Sequence, residues 1–327
     1  MISDIDYVSN NYLTRSQFVL RSFVLILASF YSFALLAEET QYMPKAKHVT
    51  ANVYAFIGPL GQRSEKNDGL NNNLGFIVAN KGVILIDSGA SRMAAQRLEK
   101  AVSEITRLPI KWVINTGSQD HRWLGNDYFA SKGADIIALQ RTAESQAQNA
   151  DQQMDRMAKF LGKRFKGTKA TPASQLLQGE IAKITLGGQQ LELQYTDAHY
   201  PGDAWVWLAH QSVIFTGDLI YVDRVFTVLP FSSVVKGQKA FQAMEKLNPK
   251  FIVPGHGGIS DINKAKTDCN DYYEFLVDKI GRAAQEMEPM QELFDRYTKL
   301  PKFQHLEHFD SLHRTNMNRT YLEFEQM

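Results

Sequence analysis

Residues 115–126 read NTGSQDHRWLGN and follow directly on the apolar run KWVI at residues 111–114. A β-rich run that stops at polar residues and glycine reads as a buried strand delivering its end to a loop. Just past that end stand Asp120 and His121, a carboxylate beside an imidazole. The arrangement returns three times: His199 follows LELQYT, Asp218 follows SVIFTG and His256 follows KFIVPG, each with glycine nearby. Strand ends are rigid, and their loops bring distant residues to one point. Imidazole and carboxylate form the ligand set of zinc and similar divalent metals. One histidine after a strand is ordinarily a satisfied structural residue; four such strand ends in one chain point to a shared metal site.

Working outward, VTANVYAFIG alternates and is rich in β-formers. NLGFIVAN and KGVILIDSG read as a hairpin joined at Asn80-Lys81-Gly82. Residues 91–105 carry Met93, Ala94, Leu98, Val102 and Ile105 on one helical stripe. GADIIALQ is a further strand, and residues 142–165 a helix with Met154, Met157 and Phe160 as its apolar side. ITLGGQQLELQYTDA gives two strands, and AWVWLAHQSVIFTGD a hairpin turning near His210-Gln211. Residues 236–247 form a helix before the strand in KFIVPGHG. Beyond Asp261, Ala265, Cys269, Tyr272, Tyr273, Leu276, Ile280, Ala283 and Met287 follow a three-and-four spacing, one long helix. More helix follows, broken at Pro301. Strands that alternate partly with helices and partly with each other predict an α/β architecture of packed sheets with helices outside.

The 327 residues suffice for one large domain or two small ones, and 44% hydrophobic with 22% charged residues is ordinary globular composition, so a sizeable core can be buried. A net charge of +1 gives no ground for nucleic acid or an anionic membrane surface as a partner; a small-molecule substrate is the expectation. The single cysteine, Cys269, lies in a helical pattern and reads as core rather than nucleophile.

Arg15 and Arg21 precede the apolar run at residues 23–37, and EET follows at once. A basic region, a short apolar region and a small residue describe a secretory signal over residues 1–37, with export to the periplasm or beyond. The run is shorter than the roughly twenty residues of a membrane span. An uncleaved anchor is the alternative.

The segments VILIDSG, NTGSQDHRWLGN, DAHYPGD, FTGD and VPGHG resemble the five motifs of the metallo-β-lactamase superfamily. The resemblance implies an αββα sandwich over residues 45–262 with metals at the sheet edge, a helical extension at 263–327, and hydrolysis of an ester, thioester, amide or phosphoester. QDHRWLGN also resembles an exported branch of the superfamily found near quinoprotein and sulfur-oxidation systems.

The family's second motif, Thr-His-x-His-x-Asp-His, is degenerate here. One register keeps Asp120-His121 as the Asp-His pair and replaces the leading histidines by Thr116 and Ser118. The other, aligned on Asn115-Thr116 and Gly125-Asn126, replaces them by Gly117 and Gln119 and sets His121-Arg122 at the pair; Gln119 then becomes a weak ligand. The first is the preferred reading and the second stays open. By resemblance, Asp120, His121, Asp218 and His256 make one complete metal position, with Asp218 the bridge. The other keeps only His199 and Asp218. One zinc is expected, the second weak or absent, with another divalent metal open. Asp120 would orient or deprotonate the metal-bound water, and His199 would polarise a substrate oxygen or protonate a leaving group. Asp87 reads either as a support behind the ligands or as a turn cap.

Arg122 and Trp123 read as pocket residues, as does the segment YVDRVFTVLPF after Asp218, within which Asp223 and Arg224 read as a structural ion pair. His48, His210, His305, His308 and His313 lack the strand-end context. A binding protein that kept the fold without catalysis is the alternative function.

Overall fold

The period of two in a β-strand sorts side chains between opposite faces. In AWVWL (Ala204–Leu208) all five residues are buried. Trp205 and Trp207 enter one core, and Ala204, Val206 and Leu208 enter another. A strand that is apolar on both faces must lie between two packed layers.

The computed structural model describes residues 42–327, so the expected signal at residues 1–37 lies outside them. The first sheet comprises β1 (Ala46–Thr50), β2 (Val53–Phe56), β3 (Leu74–Ala79), β4 (Gly82–Ile86), β5 (Ile110–Ile114), β6 (Asp135–Leu139) and β7 (Gln175–Leu177), in that spatial order. The second runs β12-β11-β10-β9-β8, from β8 (Ile181–Leu186), β9 (Gln189–Tyr195), β10 (Ala204–Leu208), β11 (Val213–Phe215) and β12 (Phe251–Val253). Helices are α1 (Arg92–Ser103), α2 (Asp120–Trp123), α3 (Asn126–Ala130), α4 (Gln140–Leu161), α5 (Val234–Glu245), α6 (residues 262–285, with two π-turns), α7 (Met290–Tyr297) and α8 (Phe309–Glu325).

Ile77, Ile84, Ile86, Ile114 and Ile137 of the first sheet meet Leu193, Val206, Val213 and Phe215 of the second in the central core. The outer face of the second sheet packs Trp205, Ile214 and Ile252 against Phe241 and Met244 of α5 and against Tyr272, Leu276 and Ile280 of α6. On the other side Trp123 of α2 joins Met157 and Leu161 of α4. The result is two sheets between helical layers, with Met43–Met327 one compact unit. The C-terminal helices share the second core with the body of the fold.

Parallel pairing positions the site. β4, β5 and β6 run parallel to one another, as do β11 and β12, whose register pairs Phe215 with Val253. β9 and β11 both run antiparallel to β10, so they point the same way. The ends of β4, β5, β9, β11 and β12 therefore share one edge, where ligands of α/β sheets ordinarily bind.

Several expectations shift. α1 starts on its N-cap Ser91, whose side chain accepts from the Ala94 amide, but stops at Ser103 and leaves Ile105 42% exposed. Met287, expected on the α6 stripe, is 84% exposed because that helix ends at Gln285. Phe160 is 37% exposed beneath the Arg63 guanidinium. Cys269 is core: buried, with its thiol pushed up to about 12 by desolvation.

Candidate active site

The edge loops carry the chemistry because small residues let them touch. A Cβ on Gly255 would strike the Gly217 carbonyl and lie 2.6 Å from Asp218 Oδ1. The turn after β12 therefore nests on the turn after β11, setting His256 beside Asp218.

Asp218 is the hub, and it is 2% exposed. Arg122 places Nη2 2.5 Å from its Oδ1 and Nε 3.2 Å from its Oδ2. His121 Nε2 stands 3.0 Å from Oδ2 and His256 Nε2 3.4 Å from Oδ1. Burial works against the charged carboxylate, yet Arg122 and His121 outweigh it and hold Asp218 well below the usual range. Arg122 Nη1 also donates to Asp87 Oδ2 and to the Asn73 carbonyl, each at 2.9 Å. Asp87, just past β4, accepts from the Thr116 amide and hydroxyl at 2.7 Å each. It stands behind the hub, braced by Thr116 and Arg122.

Asp120 is not part of this group. Its oxygens accept from Arg63 Nη1 at 2.8 Å and Arg156 Nη2 at 2.5 Å, and the nearer His121 nitrogen is 3.3 Å away. Burial opposes its charge, but Arg63, His121 and Arg156 outweigh burial and keep it ionised. In this structure Asp120 meets Arg63, Arg156 and His121 rather than Asp218. The consecutive residues that reach Asp218 are His121 and Arg122, as in the second register, and Asp120 is committed to two arginines.

The other leading positions follow. Thr116 serves Asp87, and Ser118 Oγ donates to the Pro201 carbonyl at 2.5 Å, so neither faces Asp218. A Cβ on Gly117 would lie 2.8 Å from Asp203 Oδ1, so the Asp203 carboxyl fills the space a larger residue would need. Gln119 Oε1 is buried without a partner. Trp123 is buried, its indole N–H donating to Ser118 and Gln153; it packs and does not line an opening.

His199 lies in the loop after β9, where the charge of Asp218 acts on it. Burial lowers its pKa to about 4, so it is neutral at pH 7. Its carbonyl accepts from Ser232 Oγ at 2.6 Å, and its ring lies 5.7 Å from that of Tyr221. Tyr221 stacks on His256 at 4.4 Å.

Sequence reasoning missed three participants. Asn71 and Asn73, within LNNNLG, anchor the loop over the site: the Asn71 carbonyl accepts from His256 Nδ1 at 2.9 Å, and the Asn73 amide donates to Pro254 and Gly257 carbonyls. Asp203 is raised well above the carboxylate range by burial and by Asp218. Tyr221, the first residue of the segment read as pocket, lies beside His256 and His199. The available signal was a polar residue within each edge loop. Asp223 and Arg224 do not pair: Asp223 Oδ1 accepts from Lys264 at 2.8 Å, while Arg224 donates to the Leu60 carbonyl and lies over the Tyr221 ring.

The donor set can be tested for a metal. Among the described residues no group of three His, Cys, Asp or Glu side chains stands arranged to hold one, and His121 and His256 each approach one oxygen of Asp218. Two of these donors are nevertheless of the types that ligate a divalent cation. The Asn71 carbonyl can only accept, so His256 carries its proton on Nδ1 and turns a bare Nε2 toward Asp218 Oδ1. Burial lowers the His256 pKa to about 4, so a second proton is not held at pH 7. Two lone-pair atoms 3.4 Å apart match the about 3.3–3.6 Å between ligand atoms on a tetrahedral cation with bonds of about 2.0–2.2 Å. The Gly117, Gln119 and His199 position offers one imidazole, and the residues at the two leading positions are not ligands of the usual kind.

With the geometry in place, relatedness follows. The sequence matches the metallo-beta-lactamase superfamily over residues 67–256, more than half of the chain. The protein belongs to that superfamily, and its two-sheet body with C-terminal helices is that fold. It is similar to the metallo-beta-lactamase from Pontibacter korlensis at 18% identity and TM-score 0.55, covering 68% of this chain and 96% of that one. It resembles the DIM-1 metallo-beta-lactamase at 16% identity and TM-score 0.55, covering 71% and 98%. It also resembles the inverting sec-alkylsulfatase Pisa1 from Pseudomonas sp. at 17% identity and TM-score 0.68, covering 86% of this chain and 50% of that one. The chain thus spans half the length of the alkylsulfatase.

Proposed function

We propose that the protein is an exported hydrolase that holds one divalent cation, zinc by preference of its ligands, at His121, Asp218 and His256 and cleaves an ester-type bond in a small substrate. The observation that carries this is the bare His256 Nε2 facing the ionised Asp218 across 3.4 Å while its Nδ1–H is anchored on the Asn71 carbonyl. That backbone anchor is the usual support behind a metal-bound imidazole. Each carboxylate oxygen has two acceptor directions, so Asp218 can keep Arg122 and still accept a cation. When bound, such a cation supplies hydroxide at neutral pH by lowering the pKa of water to about 7.

The chain's own residues do the rest. Arg122 and Asp87 fix the hub. His199, neutral and with ring nitrogens free of partners among the described residues, accepts or returns a proton at the reacting centre. Export rests on the pattern of residues 1–37.

Metal analysis of protein purified without chelators tests this: about one cation per chain in the wild type, and none in His256→Ala or Asp218→Asn. Wild-type protein that stays metal-free after zinc addition overturns the proposal. A panel of carboxylic ester, thioester, lactam, phosphate ester and sulfate ester then reads activity; the sulfate ester is included because the likeness to an alkylsulfatase covers 86% of this chain. The rebuilt position around Gly117, Gln119 and Asp203 favours a second reading, a binding protein without turnover. Metal at unit stoichiometry with no hydrolysis of any panel member would support that reading.

A further inference from the structure

The chain-wide charge of +1 conceals a local excess. Between Asp155 and Glu180 the sequence RMAKFLGKRFKGTKATPASQLLQG carries Arg156, Lys159, Lys163, Arg164, Lys166 and Lys169 and no acidic residue. The segment spans the end of α4 and the turns that follow it. Its apolar positions, Met157, Leu161 and Phe165, recur every four residues and are buried together. Anchoring on that side turns the basic positions outward, and Arg156, Lys159, Lys163, Lys166 and Lys169 are all exposed. The Thr168 hydroxyl accepts from the Arg92 amide at 3.0 Å and fixes the far end of the segment to the start of α1.

Two buried carboxylates adjoin this surface, and each is shared by two guanidinium groups. Asp120 takes Arg63 and Arg156, and Asp68 takes Arg97 and Arg164. Each cluster therefore keeps one positive charge in excess. Lys159, Lys163, Lys166 and Lys169 form no ion pair among the described residues. Glu65 lies beside Gly162, and its exposed neighbour Lys66 offsets its charge. The dipole of a helix favours a cation at its C-terminus, but that effect ends within the last turn. It accounts for Lys159 and not for Lys166 and Lys169, which lie beyond the end of α4 at Leu161. Like charges gathered without counterions repel one another and weaken the fold, so the cluster calls for an anionic partner.

We propose that the lysine face at the end of α4 docks on an anionic lipid bilayer. Its unpaired charges are lysines, hydrated point charges on flexible stems that need no fixed acceptor geometry. The arginine forks that suit nucleic-acid phosphates are instead turned to Asp68 and Asp120. Phe160, 37% exposed, stands on one helical stripe with Arg156 and Lys159, four and one residues on, and its ring lies 5.9 Å from the Arg63 guanidinium. An aromatic ring set among lysines is the pattern of a surface that lies in the headgroup layer. Clusters of about four to eight basic residues are attracted to anionic lipids, at about fivefold in affinity for each residue. The docked face borders the candidate site, because Arg156 reaches Asp120, the neighbour of His121, at 2.5 Å. The inference depends on neither a metal nor hydrolysis.

The test uses residues 43–327, the compact unit, so that the apolar run at residues 23–37 cannot itself bind lipid. Vesicles of phosphatidylglycerol and phosphatidylcholine in equal parts are compared with phosphatidylcholine alone by co-sedimentation at low and high salt. The expected result is binding to the anionic vesicles only, released by salt as screening requires. Lys159→Gln, Lys163→Gln, Lys166→Gln and Lys169→Gln together weaken partitioning about 100-fold or more. Lys239→Gln, Lys246→Gln, Lys250→Gln and Lys299→Gln together make the same change in net charge at exposed positions elsewhere and leave partitioning nearly unchanged. Thermal melting checks that both variants fold, and Lys166→Gln with Lys169→Gln, outside the helix, reads the same effect at about tenfold or more. Absence of vesicle binding by the wild type, binding that survives high salt or extends to phosphatidylcholine, or equal loss in the two fourfold variants overturns the proposal. So does binding of an oligonucleotide or of polyglutamate through the same lysines with none to vesicles, which would assign the face to nucleic acid or to an acidic protein. A metal-free protein that still binds vesicles through these lysines refutes the hydrolase reading alone.

Discussion

Arg122 lies across Asp218, with Nη2 2.5 Å from Oδ1 and Nε 3.2 Å from Oδ2, and its remaining nitrogen reaches Asp87 at 2.9 Å. One buried cation thus neutralises carboxylates from two different sheets. Removing one partner of a buried ion pair leaves an uncompensated charge and costs about 3–5 kcal/mol. Arg122→Met is expected to lose that much in urea denaturation at pH 7. Arg122→Lys recovers only part, because a point charge cannot span both carboxylates. Arg122→Met as stable as wild type would show that the pair is not ionised.

Asp120 separates the two registers experimentally. Its carboxylate is held by Arg63 and Arg156. Asp120→Asn is therefore expected to lower stability while keeping the metal content of the wild type, whereas His121→Ala loses the metal. Metal analysis of the two variants side by side decides it, and loss of metal from Asp120→Asn would restore Asp120 as a ligand.

Acidification should unfold the metal-free protein in a defined window. His199 titrates at about 4 when folded, against about 6.5 in an unfolded chain. Between those values the unfolded state binds a proton that the folded state refuses, so stability falls as pH falls. The slope from this one group is about 1.4 kcal/mol per pH unit, with nothing further from it above about pH 7. Chemical denaturation from pH 7 to pH 4 in the presence of a chelator reads the slope. His199→Gln should flatten it by about one proton, and an unchanged slope would contradict the assignment.

Gly255→Ala should uncouple the loops. The added methyl would meet the Gly217 backbone and Asp218 Oδ1, and overpacking of this kind costs typically about 1–3 kcal/mol. Because the displaced atoms belong to the hub, metal affinity should fall together with the melting temperature. A variant that binds metal normally would place the contact outside the site.

The C-terminal helix holds one wall. Asn316 of α8 accepts from the Val228 amide at 2.8 Å and donates to the Phe226 carbonyl at 2.7 Å. Asn316→Ala strands two buried backbone groups, at about 1–3 kcal/mol for each unsatisfied partner. Denaturation should register that loss. Unchanged stability would mean that the wall does not depend on the helix.

Much of this was legible in the sequence because strands report themselves locally. Alternation located the paired strands, VILIDSG and the Gly-flanked ends marked the shared edge, and His199, Asp218 and His256 stood out as donors three or four residues past a strand. Short elements left no such trace. β7 has three residues and α2 only four, too few for a period to show. α2 mattered most, because consecutive helical residues project about 100° apart. Asp120 therefore points to Arg156 of α4 and His121 toward Asp218, a difference invisible in the linear motif.

Residue order determined the sheet ends, their donors and the family. The tertiary structure alone decided which donors meet. The orientation of α2 and the Asp203 carboxyl beside Gly117 rest on contacts between segments far apart in the chain. Side-chain direction there is set by packing and by charge pairing across loops, and no local pattern encodes it.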